Sequence, residues 1–418
     1  MSALSSIVVS GIGVTASAGQ NKEAFLAGLL SGENLFGIMQ REGRQAPETP
    51  PSEDETPLQE KYLGAEISKL SVPDSIPKSL LRTASWSSQV TVSTLHEAWN
   101  DSRLDEVASE RIGLVIGGSN VQQRELVNVH DKYRDKPQFL RPTYAMSFMD
   151  SDAVGVCTEV FPIRGPSYTL GGASASGQVA VIQAINAVRS GQVDVCIAIG
   201  SMMDLSYWEC RGFRTLGAMG SEKFAFSPEL ACRPFDLDHD GFIFGEACGV
   251  IVIETKEHAR KRGADIYAEI KGWSHIMDGN RNPNPSLEGE KTVVTNSLRM
   301  ANMTASDIHY VNPHGTASIV GDETELSVLK QSGLEHAYIN ATKSIIGHGL
   351  SAAGTVELIA TILQMKAGRI HRTRNLTTPI DMDFNWVREK SIQQTISTAI
   401  SLSMGFGGVN TAVCIEQC

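Results

Sequence analysis

Residues Gly165–Gly177 read GPSYTLGGASASG, and the chain runs on as ASGQVAVIQAINAVR from Ala175 to Arg189. The first stretch is a short strand-like run, YTL, followed by a glycine pair at 171 and 172 and then Ser174. The second is apolar around most of its circumference, which a surface helix is not, so it predicts a buried central helix that stops at Gly191. Ser174 stands where strand hands over to helix. Its backbone N–H then points into a region of partial positive charge, where an oxyanion would be stabilised. A serine in this place also serves as a simple helix cap.

Working outward, the same alternation recurs. Glycine-bounded apolar strands such as IGLVIGG from Ile112 and VDVCIAIGS from Val193 alternate with helical stretches such as Ser351 to Lys366, which argues for α/β layering. Strand patterns occur on both sides of residue 255, with HYVNPHGT, AYINATKS and SMGFGGVNTAVCI in the second part. Ile7 to Val9 followed by GIGV reads as a short buried strand entering a tight glycine turn. A dinucleotide fingerprint would need glycine where Ala16 stands. Gln40 to Glu60 has four prolines and many charges, and is expected to be an exposed loop.

A chain of 418 residues, 41% hydrophobic and 20% charged, has the composition of a globular enzyme. Its formal charge of -11 repels polyanions, which argues against nucleic-acid binding. Lys256, Arg260, Lys261 and Arg262 form a local basic cluster on a predicted helix, a candidate for docking an acidic protein. Seven cysteines without CxxC spacing or paired histidines argue against a disulfide framework and against a metal site. The opening apolar run is too short for a signal-peptide core, and no stretch reaches the length of a membrane span. A soluble protein of the reducing cytoplasm is expected.

Chemistry concentrates in three glycine-rich stretches at strand ends: GPSYTLGGASASG, NPHGTASIVGDETE (Asn312–Glu325) and TKSIIGHGLSAAG (Thr342–Gly354). His314 follows the strand HYV, and His348 precedes a helix that begins with small residues. A helix N-terminus disfavours imidazolium, so His348 is expected to stay neutral and donate from Nε2 to a developing enolate oxygen. A serine hydrolase competes with this reading, since Gly172-Ala173-Ser174-Ala175-Ser176 approaches the nucleophile-elbow pattern. That pattern lacks its last glycine here, and no acid partner is apparent for a histidine.

These segments resemble the β-ketoacyl synthases over nearly the whole chain. VVSGIGV is similar to their opening strand and RPFDLDHDGFIFGEACGVIVIE (Arg233–Glu254) to their central signature. The two histidine motifs and the closing SLSMGFGGVNTAV (Ser401–Val413) match in order. The resemblance implies a thiolase-like layered αβαβα fold of two pseudo-symmetric halves, 1–255 and 256–418, forming one catalytic unit and normally a homodimer. It also implies that Thr316 and Ser318 hydrogen-bond a phosphopantetheine arm, and that Lys343 and Glu325 form a buried pair propping the histidines. By the same resemblance Phe406 is a gating aromatic whose backbone N–H completes an oxyanion hole with that of Ser174.

The family has Asp-Thr-Ala-Cys-Ser-Ser at its nucleophile. This chain has Gly171-Gly172-Ala173-Ser174-Ala175-Ser176. A thiol before a helix readily becomes a nucleophilic thiolate, whereas a serine hydroxyl needs a dedicated base, so chain condensation should fail. Loss of carbon dioxide from a malonyl thioester needs only stabilisation of the enolate, and both histidines remain. The resemblance therefore narrows to the cysteine-to-serine malonyl-carrier-protein decarboxylases of polyketide β-branching. These work with a hydroxymethylglutaryl-CoA-synthase-like partner and an enoyl-CoA-hydratase-like partner. The substrate rides on the phosphopantetheine of an acyl carrier protein, and no cofactor of the protein's own is implied. Two alternatives stand beside this reading: a non-catalytic chain-length-factor-like subunit, and a slow Ser174-dependent acyltransferase or synthase.

Overall fold

A computed structural model describes residues 6–46 and 61–418. Ten strands carry the architecture: β1 (Ile7–Ala16), β2 (Ile112–Gly117), β3 (Ser167–Leu170), β4 (Val195–Gly200), β5 (Ala247–Thr255), β6 (Ala268–Met277), β7 (Tyr310–Asn312), β8 (Tyr338–Ile339), β9 (Thr398–Gly405) and β10 (Val409–Gln417). They share one sheet in the order β3-β2-β4-β5-β1-β6-β10-β9-β7-β8. The first five occur as third, second, fourth, fifth, first, and the last five mirror that order. The pairings repeat as well: β2 is parallel to β3 and β4, and β7 is parallel to β8 and β9, while the remaining neighbours are antiparallel. The two copies meet at β1 and β6, with Ile7 opposite Ile270 and Val9 opposite Ala268.

Seven helices complete the layers: α1 (Trp86–Asp101), α2 (Ser151–Val160), α3 (Ser176–Arg189), α4 (Lys256–Lys261), α5 (Leu287–Ala301), α6 (Ile319–Gln331) and α7 (Ala353–Ala367). Val181 and Ile185 of α3 and Val356 and Ile359 of α7 pack with Ala198, Ile251, Ala399 and Val413, which face inward from both halves of the sheet. The alternate residues face outward: Ile197 and Ile199 against α1 and α2, Ile400 and Leu402 against α5 and α6. The order is thus helix, sheet, helix pair, sheet, helix, the thiolase-like αβαβα arrangement. Strands covered on both faces read as continuous apolar runs, which is why the sequence shows them so clearly.

The central helices touch because glycine faces glycine's neighbours at their N-termini. A Cβ on Gly177 would lie 2.5 Å from Thr355 Oγ1, and one on Gly354 would lie 2.8 Å from the Gln178 Cβ. This contact brings the turns before α3 and α7 together, and those turns carry Ser174 and His348.

Three expectations need correction. Gly11 and Gly13 form no turn but lie inside the ten-residue β1, where a Cβ on Gly13 would stand 2.3 Å from Thr94 O of α1. Gln40–Glu60 is not simply an exposed loop. Arg44 is fully buried and paired with Glu66, Asp204 and Glu246, while residues 47–60 lie outside the described residues. The basic cluster at α4 is half spent internally, with Lys256 on Glu269 at 2.6 Å and Arg262 paired with Glu254, while Arg260 and Lys261 are exposed. It follows the far end of β5, about 30 Å of strand from the end that meets the histidine loops.

Candidate active site

Ser174 sits in a 3₁₀ turn, Ala173–Ala175, that enters α3. It does not cap the helix. The turn is tied by Ser176 instead, whose Oγ accepts from the Gly172 N–H at 2.8 Å and donates to Ala173 O at 2.7 Å. Ala173 holds φ +48°, a left-handed conformation unusual for alanine. The Ser174 hydroxyl is thereby left to face His348, whose Nε2 lies 3.0 Å from Oγ.

His348 is fixed by the central signature. Its N–H donates to Ile243 O at 2.7 Å, its carbonyl accepts from Gly245 at 3.1 Å, and the Phe242 ring stands edge-on 5.2 Å away. Gly245 is required here, since a Cβ would come within 1.8 Å of Ile346 O. The Leu350 N–H donates to Nδ1 of His348 at 3.3 Å, so Nδ1 is an acceptor and Nε2 carries the ring proton.

His314 follows β7. Glu325 of α6 accepts its N–H at 2.6 Å and that of Gly315 at 2.8 Å, and Asp322 takes the Ala317 and Phe235 N–H groups at 3.0 and 2.6 Å. The His314 and His348 rings are perpendicular with centres 5.4 Å apart. Lys343 bonds the His314 carbonyl, and its Nζ lies 3.5 Å from Nδ1. Ammonium hydrogens face that nitrogen, so the proton of this ring also belongs on Nε2.

Lys343 and Glu325, expected as a buried pair propping the histidines, are both buried and both hold the His314 loop, but no ion pair joins them among the described residues. Lys343 meets Glu357 of α7 at 2.5 Å, both fully buried, while Glu325 holds backbone N–H groups. Burial pushes both Glu325 and Glu357 up to about 7. Burial first, then the Lys343 charge, holds both imidazoles well below the ordinary histidine value, with His348 adding to the effect on His314. The expected neutrality of His348 thus has burial as its largest cause rather than the helix terminus.

Ser174, His314, His348 and Glu325 line a cavity of about 460 Å³ that also takes in Thr316, Ser318, Phe406 and Glu290. The Thr316 and Ser318 hydroxyls bond each other at 2.8 Å. Phe406 is 40% exposed at the mouth, its ring 6.2 Å from Phe213. Among the described residues, the backbone N–H groups of Ser174 and Phe406 meet no acceptor. No cysteine lines the cavity; the six internal ones are buried elsewhere.

Three carboxylates escaped the sequence reading. Asp322 lies inside a motif already singled out, and Glu357 is the lone charge in the apolar run AAGTVELIATI, a signal that could have been used. Glu290, at the start of α5, carries no such mark.

The N-terminal domain of the β-ketoacyl synthases matches residues 4–259, and their C-terminal domain matches residues 267–377. The chain belongs to the β-ketoacyl synthase family. Within that family it is 56% identical over 414 residues to the polyketide biosynthesis malonyl-ACP decarboxylase PksF of Bacillus subtilis (strain 168), covering 99% of this chain and 97% of that one. It is 30% identical to 3-oxoacyl-[acyl-carrier-protein] synthase 2 of Staphylococcus aureus (strain COL), over 85% of this chain and 87% of the other. Among solved structures, a β-ketoacyl synthase from Burkholderia phymatum STM815 superposes with a TM-score of 0.86 at 26% identity, covering 99% of this chain and all of that one.

Proposed function

We infer that this chain is an enzyme that decarboxylates malonyl-acyl carrier protein to acetyl-acyl carrier protein in polyketide biosynthesis. One observation carries the reading: Nδ1 of His348 accepts from the Leu350 N–H, so Nε2 is a donor pointed at Ser174. A serine nucleophile needs an imidazole that takes its proton, usually with Nδ1–H held by a carboxylate. Here the imidazole has no free lone pair for the hydroxyl, and acylation of Ser174 lacks its base. The same N–H is well set to stabilise an oxyanion.

In this reading the phosphopantetheine arm enters past Thr316 and Ser318. The thioester oxygen faces the Nε2–H groups of His314 and His348, and the malonyl carboxylate sits in the less polar region by Phe406. The bond to the carboxylate breaks, carbon dioxide leaves, and the electron pair becomes an enolate held by the two imidazoles. Neutral, desolvated rings supply strong hydrogen bonds in a site of low dielectric. Serine at position 174 fills the space of a nucleophile without competing for the acyl group.

The finer parts of the reading are a carrier-protein partner, a homodimer, residence in the cytoplasm, and action in a β-branching cassette beside hydroxymethylglutaryl-CoA-synthase-like and enoyl-CoA-hydratase-like enzymes. Support for the carrier protein is the 56% identical relative named a malonyl-ACP decarboxylase.

Incubating the purified protein with malonyl-carrier protein and weighing both products tests the reading. The expected result is acetyl-carrier protein with Ser174 unmodified. An acylated Ser174 would instead mean acyl transfer, and no reaction without a second subunit would mean a chain-length-factor role.

A further inference from the structure

The decarboxylation leaves a carbanion equivalent that must gain a proton at carbon, and the histidines are committed to oxygen. Around the cavity most polar groups are already engaged. Glu325 and Asp322 accept backbone N–H groups, and the Ser174 hydroxyl accepts from His348. Glu290 differs. It lines the same cavity, is 2% exposed, and has no hydrogen bond to its carboxyl among the described residues, with Oε2 sealed from solvent. The charged groups that bear on it are carboxylates, Glu325 and Asp278, and among the described residues no cation offsets them.

A buried carboxyl facing other carboxylates and no cation is most stable as the neutral acid. A neutral acid held in an apolar cavity is a proton source. Asp278 is itself held by the Asn410 amide at 2.7 Å, and Glu325 by the His314 loop, so neither moves away to relieve Glu290.

We propose that Glu290 is the acid that delivers a proton to the substrate carbon after carbon dioxide departs, an inference that rests on the decarboxylase reading. The Glu290 O–H bond breaks, the enolate electron pair forms the new C–H bond, and the thioester carbonyl is restored. The Glu290 carboxylate then regains a proton from water. The sum is a malonyl thioester plus one proton giving an acetyl thioester plus carbon dioxide. Glu290 also acts before that step: as a neutral group it lets the malonyl carboxylate enter a cavity that an ionised side chain would close to it.

The test uses Glu290→Gln, which keeps the shape of the neutral acid, with Glu290→Ala as a second variant should the first fold poorly. Each is supplied with malonyl-carrier protein in equal parts light and heavy water, and the ratio of CH3 to CH2D in the acetyl product is read by mass spectrometry. A carboxylic acid and water discriminate differently between the isotopes, so the ratio should shift in the variants, with turnover reduced tenfold or more if proton delivery limits the rate. A ratio equal to the parent's overturns the assignment, whether turnover is unchanged, uniformly lowered, or altered only in KM. If the parent protein itself makes no acetyl-carrier protein, the decarboxylase reading falls first; if the parent reacts and the ratio stays fixed, only the role of Glu290 falls.

Discussion

Lys343 Nζ lies 3.5 Å from Nδ1 of His314 and 2.5 Å from Glu357 Oε1, so one ammonium fixes a tautomer and neutralises a buried carboxylate. The two duties can be separated. Lys343→Met leaves Glu357 unpaired, and breaking a buried pair from one side costs about 3–5 kcal/mol. Lys343→Met with Glu357→Leu should recover most of the lost melting temperature. It should not recover acetyl-carrier-protein formation, because nothing then holds the proton on Nε2 of His314. A double variant as active as the parent would show that Lys343 acts on stability alone.

His314 and His348 point at one another's working space, with ring centres 5.4 Å apart, so both are expected to bond the same oxygen. Replacing either with alanine should cost roughly 10²-fold in kcat. The double variant should lose less than the product of the two losses, since donors to one oxyanion are coupled. Full activity in both single variants would remove them from the chemistry.

The sequence already displayed much of this site, for a physical reason. Strands buried on both faces have to be apolar throughout, and a position where a Cβ would run into a neighbouring segment has to be glycine, so β4, β9, Gly245 and Gly354 announce themselves. Ser174, His314 and His348 were legible because each follows such a signal. Pairing was not. Glu325 and Glu357 are both buried near Lys343, and only the fold decides that Glu357 takes the ammonium while Glu325 takes the loop N–H groups. The same applies to Arg44, which sits in a proline-rich, charged stretch and is nevertheless fully buried among three carboxylates. Local composition gives no sign of ion partners up to 202 residues away.

Ser174 is predicted to be dispensable for carbon dioxide release. Ser174→Ala removes a hydroxyl that accepts one hydrogen bond and leaves both imidazole donors in place, so turnover should stay within about tenfold of the parent. Ser174→Cys should behave differently toward acyl groups. A thiol beside the His348 N–H and before a helix gains thiolate character, and intact mass should reveal an acyl adduct that the serine protein does not form. Absence of that adduct would mean that more than the nucleophile has been lost.

Acid should affect folding and catalysis differently. Both active-site imidazoles are held well below 6.5 by burial and by the Lys343 charge, so the rate should show no inflection near 6.5, and NMR of the His348 ring should show it neutral there. For stability the sign follows from proton counts: below pH 6.5 the unfolded chain binds protons at these positions and the folded chain does not, so stability falls as pH drops from 6.5 toward the depressed folded values. Each such histidine costs up to about 1.4 kcal/mol per pH unit in that window. Glu325 and Glu357, raised from 4.5 to about 7, contribute with the opposite sign, losing stability as pH rises between those values, so the whole-protein curve blends the two. Comparing parent with His348→Gln isolates one imidazole. Chemical denaturation at pH 7.5 and 5.5 should give a smaller loss in the variant, and an equal loss would mean that His348 takes up its proton in the folded protein as readily as in the unfolded chain.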